Sequence, residues 1–316
     1  MNKKNILISA PYFQPVVEKY MHVFEQYNLE PVVPKVTERL EERELLKVIH
    51  DIEGAICGDD HFTPKVLDAA NKLSVISKWG TGIDSIDKEY AKQRNIQVFN
   101  TPNAFTTPVS DTVLGYILTF ARQLHTMNMD VKNHIWEKRN LVSLQECTLG
   151  IIGLGNIGQA IARKASPFGI QILGHDPCDP PTQFLDSVNI QLVSKDFLLS
   201  NSDFITLNCD LNDSSFHILS TTEFTKMSNK PYIINAARGP LIDEIALIEA
   251  LTDGKIKGAA LDVFEDEPLP SASKLRTLDN VLLAPHNSNS SPAAWDKVHK
   301  QTLNNLLLGL GIHNDN

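Results

Sequence analysis

Short apolar runs, rich in β-branched residues, alternate with longer amphipathic stretches along nearly the whole chain. "NILIS" (5–9), "GAIC" (54–57), "SVIS" (74–77) and "IQVF" (96–99) have the length and composition of buried strands. Between them, helical spacing of apolar positions is found near 15–27, 39–50, 64–71 and 87–94. Strand–helix alternation of this kind predicts a parallel sheet with helices on both faces.

The pattern changes after "NTPNAF". Residues 108–135 predict two helices, with apolar positions at Val113, Leu114, Ile117, Leu118 and Ala121. A second strand–helix series then opens at "TLGIIGLGNIG" and continues through "IQILGHD" (170–176), "FITLN" (204–208), "YIINA" (232–236), "GAALDVF" (258–264) and "VLLAPH" (281–286). A last helix is predicted over about 292–309. The expected fold class is α/β, with two doubly wound parallel-sheet domains. The proline-rich "DPCDPP" (176–181) is a surface connection inside the second series, not a linker between domains.

The 316 residues suit two domains of ordinary size. Hydrophobic content of 42% with 21% charged residues is that of a folded soluble protein, and the formal charge of −9 argues against nucleic acid as the main partner. No apolar run approaches the ~18 residues of a membrane helix. "MNKKNILISAPYF" is expected to be a first buried strand, not a signal peptide. Cys57, Cys147, Cys178 and Cys209 lack C-x-x-C or metal-ligand spacing, so reduced thiols in a cytoplasmic protein are expected, with no metal.

"GIIGLGNIGQAIA" places Gly153, Gly155 and Gly158 in G-x-G-x-x-G spacing, after a strand and at the start of a helix. A tight turn, a close approach of pyrophosphate to backbone, and helix–strand packing each need a residue without a side chain there. Phosphates would then meet the N–H groups of a helix N-terminus. Glycine triplets alone are common. Asp176 strengthens the reading, because it ends the next strand, where a carboxylate can accept ribose hydroxyls. No Arg or Lys follows in "DPCDPP" to hold a 2′-phosphate, which favours NAD over NADP.

Three later residues each follow a predicted strand: Arg238 in "INAARGPLID", Glu267 in "ALDVFEDEPLP" and His286 in "APHNSNSS". In an open parallel sheet, ligands bind beyond the carboxyl ends of the strands, so all three are delivered to one edge. A histidine can exchange a proton near neutral pH, a neighbouring carboxylate fixes its tautomer, and an arginine can hold a carboxylate. Taken singly, Arg238 could be a cap or surface residue, Glu267 part of a solvated acidic run, and His286 a loop histidine. Their joint placement carries the argument.

With these motifs in order, the chain resembles the D-isomer-specific 2-hydroxyacid dehydrogenases, and among them the phosphoglycerate dehydrogenase-like branch. The resemblance runs through "KWGTGIDSID", "VFNTPNAF", "LGIIGLGNIG", "INAARGPLIDE", "GAALDVFEDEPLP" and "LLAPH". It implies a Rossmann NAD-binding domain over 101–286, inserted into a flavodoxin-like substrate domain formed by 1–100 and 287–316. It also implies hydride transfer between NAD(H) and a D-2-hydroxy or 2-oxo acid. Arg238, Glu267 and His286 match the family's catalytic residues. Gly153, Gly155, Asn156, Ile157, Gly158, Asp176, Ala236 and Asp262 match its cofactor-binding positions, with Asp262 near the nicotinamide carboxamide. Lys78, Thr81 and Gly82 match substrate-binding positions. A homodimer built through the helices after residue 103 is implied as well.

Several positions depart from the family pattern. Asp59 and Asp60 in "CGDD" stand where phosphoglycerate dehydrogenases place a phosphate-binding arginine; they would repel a phosphate, or else cap the helix near Pro64 or face solvent. Asp111 replaces a glutamate, and Asp210 a common proline. "NSNSS" follows His286, where Asn287 and Ser288 either bond near the substrate or cap the last helix. Trp79 and Trp136 are read as packing residues. The alternatives are a 3-phosphoglycerate dehydrogenase proper, a phosphonate dehydrogenase and a non-catalytic NAD-sensing corepressor-like protein. Formate dehydrogenase-like enzymes pair their histidine with glutamine, which Glu267 disfavours.

Overall fold

The computed structural model describes residues 3–312. In chain order the strands and helices are β1 (Lys4–Ile8), α1 (Met21–Gln26), β2 (Leu29–Val32), α2 (Glu42–Val48), β3 (Ile52–Cys57), α3 (Pro64–Ala69), β4 (Val75–Lys78), α4 (Lys88–Gln93) and β5 (Gln97–Phe99). They continue with α5 (Thr106–Ala121), α6 (Leu124–Lys132), β6 (Thr148–Ile152), α7 (Asn156–Ala165), β7 (Gln171–His175), α8 (Thr182–Ser187), β8 (Ile190–Leu192) and α9 (Lys195–Asn201). The remainder are β9 (Phe204–Leu207), α10 (Thr221–Thr225), β10 (Tyr232–Asn235), α11 (Glu244–Thr252), β11 (Gly258–Leu261), β12 (Val281–Leu283) and α12 (Pro292–Gly309). The chain divides into two compact units: residues up to Phe105 with those from Ser291 onward, and Thr106–Ser290. The family resemblance implies divisions at 100/101 and 286/287, a few residues from these.

The first unit holds a five-stranded sheet in the order β2-β1-β3-β4-β5, with every pairing parallel, which is the flavodoxin-like order. Leu7, Ala55, Ile76, Leu45 and Val66 are buried together on one side of it. Helix α12 returns to this unit: Ser77 Oγ donates to the Thr302 carbonyl at 2.8 Å, and Leu303, Leu306 and Leu307 are buried.

The second unit holds a seven-stranded parallel sheet in the order β12-β11-β10-β9-β6-β7-β8, the doubly wound Rossmann arrangement extended by one strand. Leu198, Ile205, Ile233, Leu247 and Ala259 are among its buried core residues. On α5, Val113 and Ile117 are buried while Leu114 and Leu118 are half-buried. Lys164 of α7 fastens α5, with its ammonium 2.6 Å from Asp111 and donating to Ser110 Oγ and the Thr107 carbonyl. The aspartate at position 111 is thus long enough to reach its cation.

Two strands escape the hydrophobic pattern, and both lie at sheet edges. β2, "LEPV", carries Glu30 and Pro31, which an edge strand tolerates. β8 is only "IQL". The helix predicted over 15–27 divides into a 3₁₀ stretch, Gln14–Tyr20, with Pro15 in its first turn, followed by α1. No helix among the described residues is long and apolar enough to cross a membrane.

Candidate active site

In the second unit, β7 and β8 extend from β6 in one direction, and β9 to β12 in the other. The turn after β6 therefore lies at the topological switch point, where ligands of such sheets bind. Gly153 there has φ +92°, and a Cβ on it would lie 2.6 Å from the Asn208 carbonyl carbon and the Cys209 nitrogen. A Cβ on Gly158 would lie 2.0 Å from the Gly153 oxygen, so α7 packs against the turn itself. Gly155, the N-cap of α7, is the opposite case. It makes no side-chain cap bond, and no atom lies within 4 Å of its missing Cβ. That is an open space over a helix N-terminus, of the kind a pyrophosphate fills. Asn156 and Ile157 form the first turn of α7.

Asp176 follows β7, with one carboxylate oxygen accepting the Leu154 N–H at 2.7 Å and the other the Cys178 N–H at 2.8 Å. Its carboxylate is thereby pinned beside the glycine turn, and each oxygen retains a further lone pair for a ribose hydroxyl. These residues fit a dinucleotide. On the far side of the turn, burial, with Asp210 and Asp176 adding to it, pushes the Cys209 thiol up to about 11. Asp210 itself works through its carbonyl, which accepts Ser215 Oγ at 2.6 Å to close the loop after β9.

The carboxyl ends of β10, β11 and β12 are neighbours in the sheet and carry the other three candidates. After β10, Asn235 shapes the chain around Ala236: its Oδ1 accepts the Ala237 N–H at 3.1 Å, and its Nδ2 donates to the Arg238 carbonyl at 2.8 Å. Arg238 Nη1 donates to the Ala237 carbonyl at 2.8 Å. The following turn presses on the segment after β11, because a Cβ on Gly239 would lie 1.9 Å from the Phe264 carbonyl carbon and oxygen. Only glycine fits that approach.

Glu267 and His286 are directly joined. Glu267 Oε2 lies 2.9 Å from His286 Nδ1, and its Oε1 accepts the Phe264 N–H at 2.9 Å. A carboxylate at Nδ1 fixes the tautomer and orientation of the ring. His286 has φ +49°, a left-handed conformation uncommon for histidine. Its own N–H donates to the Asp262 carbonyl at 2.8 Å.

Asp262 is fully buried and anchors the backbone just after His286. One carboxylate oxygen accepts the Asn287 N–H and the other the Ser288 N–H, each at 2.8 Å. Neither Asn287 nor Ser288 caps the last helix; Ser291 does, accepting the Ala294 N–H. Burial, and secondarily the Asp262 charge, raises the Tyr116 phenol to about 12. The sequence pattern missed two positioning residues, Asn235 and the Asp262 carboxylate as a backbone anchor. Their only signal was a polar residue at the end of an otherwise apolar strand.

The first unit places its candidates around the end of β4. Lys78 is buried, and its ammonium lies 3.0 Å from Asp59 Oδ1. Asp60 is fully buried, accepting Ser9 Oγ at 2.7 Å, the Leu40 N–H at 2.5 Å and the Gly58 N–H at 2.9 Å. The alternative that these aspartates cap the helix near Pro64 is corrected: Thr63 caps α3, while half-buried Asp59 pairs with Lys78 and Asp60 is buried. Thr81, next to Gly82, donates its hydroxyl to the Thr101 carbonyl at 3.2 Å, and its own carbonyl accepts Asn100 Nδ2 at 2.6 Å. Trp79 is a packing residue, stacked among Tyr12, Phe105, Trp295 and His299. Trp136 is not packed within its own chain, being 87% exposed.

Comparison with known proteins identifies the family. Residues 114–288 match the family described as D-isomer specific 2-hydroxyacid dehydrogenase, NAD binding domain. A hydroxypyruvate reductase from Thermotoga maritima is 37% identical over 281 residues, covering 87% of this chain and 90% of that one. A D-3-phosphoglycerate dehydrogenase from Methanocaldococcus jannaschii is 39% identical over 264 residues, 82% of this chain but only 50% of that longer protein. The crystal structure of a D-lactate dehydrogenase from Aquifex aeolicus, complexed with NAD and lactic acid, superposes with a TM-score of 0.87 at 25% identity, covering 98% of this chain and 96% of that one. The chain belongs to the D-isomer specific 2-hydroxyacid dehydrogenase family, as an NAD-dependent oxidoreductase of two parallel-sheet units.

Proposed function

We propose that the protein interconverts a short, unphosphorylated D-2-hydroxy acid and its 2-oxo acid, with His286 as acid/base, Glu267 as its orienting partner and Arg238 as the group that holds the substrate. The observation that carries this reading is the 2.9 Å contact between Glu267 Oε2 and His286 Nδ1. Bound NAD supplies the hydride acceptor or donor for the substrate C2; Gly153, Gly155, Asn156, Ile157, Gly158, Asp176, Ala236 and Asp262 are the residues that would hold it. In the reducing direction, Nε2 of His286 gives its proton to the substrate oxygen, and Glu267 stabilises the charged ring before that step. Arg238 offers a planar fork of donors suited to a carboxylate.

The family resemblance assigns substrate binding to Lys78, Thr81 and Gly82. Lys78 is already paired with Asp59, which removes the net positive charge a phosphate would need. That pairing favours an acid such as hydroxypyruvate, on which the Thermotoga relative is named to act, over a phosphorylated one. The test is steady-state NADH oxidation with hydroxypyruvate, glyoxylate, pyruvate and 3-phosphohydroxypyruvate, for wild type and His286→Ala. Turnover of the unphosphorylated acids, lost by two orders of magnitude or more (~10²-fold,) in the variant, is expected. Equal turnover by His286→Ala, or silence with every acid, would overturn the reading.

We also infer a homodimer through α5, α6 and the chain after them. Met129, Val131, Ile135 and Trp136 expose large apolar surface there, more than isolated surface residues normally do. Light scattering of the purified protein should give twice the chain mass of 35.2 kDa.

A further inference from the structure

Outside the Glu267–His286 pair, the second unit contains another histidine–carboxylate pair that the reaction does not use. His217 Nε2 lies 2.7 Å from Glu265 Oε1. The histidine has φ +50°, and its backbone N–H donates to the Pro240 carbonyl at 2.9 Å. A left-handed histidine persists only where its surroundings dictate it. Here one residue grips two segments: through its backbone it holds the Arg238–Gly239–Pro240 turn, and through its imidazole it holds the stretch Glu265–Asp266–Glu267.

We propose that His217 is a positioning residue that clamps the Arg238 turn to the Glu267 segment, and so fixes Glu267 against His286. This inference rests on the catalytic reading above. The two segments already meet without a gap, since the space beside Gly239 is filled by the Phe264–Glu265 peptide. The N–H of Phe264 then holds Glu267 Oε1, whose partner oxygen holds His286 Nδ1. The imidazole of His217 is thus connected to that of His286 through Glu265, the adjoining peptide and Glu267. Just beyond His217, the clamp continues as main-chain bonds: the Leu219 N–H donates to the Leu241 carbonyl, and the Asp243 N–H to the Leu219 carbonyl. Phe216 stacks on the His217 ring, with centroids 3.9 Å apart, which restricts the ring to the plane facing Glu265.

A loosened clamp lets Glu267 leave the line that orients His286, which affects the proton-transfer step and leaves the glycine turn after β6 untouched. The experiment measures kcat and KM for hydroxypyruvate, and NADH affinity by fluorescence titration, in His217→Ala, Glu265→Ala, Glu265→Gln and the double alanine variant. His286→Ala is measured in parallel. Each single alanine variant should lose about 10-fold in kcat, with NADH affinity held within about 2-fold of wild type. The double variant should lose no more than either single one, because the two side chains act as one unit. Glu265→Gln keeps a hydrogen-bonding partner for the ring and should recover most of kcat. Wild-type kcat in the alanine variants, additive losses, or a loss confined to NADH affinity would overturn the clamp. If His217→Ala does not fold, the two Glu265 variants decide alone. If His286→Ala retains full turnover, the catalytic reading fails first; if only that variant loses activity, the clamp alone fails.

Discussion

The indole N–H of Trp79 donates to Nδ1 of His299 at 2.9 Å, within the aromatic cluster of the first unit. An imidazole that accepts at Nδ1 is neutral, and burial lowers the His299 pKa below its ordinary 6.5, with Asp296 opposing and Lys19 assisting. The unfolded chain therefore binds a proton more readily than the folded one as pH falls below about 6.5. The stability associated with His299 is fully present above that value and is lost as pH drops towards the folded pKa. Urea unfolding followed by tryptophan fluorescence should show a falling midpoint between about pH 7 and 5.5, and His299→Gln should have a flatter slope across that window. Identical slopes would remove His299 as the cause.

Asp262→Asn tests the anchor under the polar run. An amide presents a donor where the aspartate accepts, so one of the N–H groups of Asn287 and Ser288 loses its partner in a buried place. A destabilisation of about 1–3 kcal/mol is expected, together with reduced turnover, since His286 immediately precedes the anchored residues. The same variant removes the charge that helps raise Tyr116 from the side of Asp262. Spectrophotometric titration should find that phenol ionising at lower pH.

Gly239→Ala drives a methyl group into the Phe264 carbonyl. Either the Arg238 turn or the Glu267 segment has to move. Overpacking of this kind costs about 1–3 kcal/mol. The decisive measurement is kcat at a temperature where circular dichroism finds the variant fully folded; normal turnover there would show the close approach to be dispensable.

Asp59→Asn leaves the Lys78 ammonium buried without its counter-charge. Removing that partner should destabilise by about 1–3 kcal/mol, less than for a fully buried pair because Asp59 is partly exposed, visible as a lower melting temperature. The uncompensated cation should also raise the ratio of kcat/KM for 3-phosphohydroxypyruvate to that for hydroxypyruvate. An unchanged ratio would separate Lys78 from substrate choice.

Much of the fold was legible because both sheets are parallel and covered on both faces, so their central strands are unbroken apolar runs. β6, β9 and β10 follow that rule to within a residue or two, and the predicted bounds of α12 match as well. The edge strands β2 and β8 did not announce themselves, since an edge needs less apolar surface and tolerates a proline or a glutamine. Arg238, Glu267 and His286 were legible as single residues after strands, and Glu267 Oε2 lies 2.9 Å from His286 Nδ1. The parts that stayed hidden depend on three-dimensional approach. Nothing in "CGDD" tells that one aspartate pairs with Lys78 while its neighbour gathers Ser9, Leu40 and Gly58. The partnership of His217 with Glu265 is similarly invisible, because it joins loops 48 positions apart.

The return of α12 to the first sheet also sets an order of events during synthesis. Ser77, beside β4's end, waits for the Thr302 carbonyl, and the apolar side chains of Leu303, Leu306 and Leu307 complete a core whose strands left the ribosome some two hundred residues earlier, Ser77 and Thr302 being 225 positions apart. Residues 106–290 contain all seven strands of their own sheet and can close before that helix emerges. The nascent chain therefore carries an uncovered face on its first-made sheet until α12 has emerged.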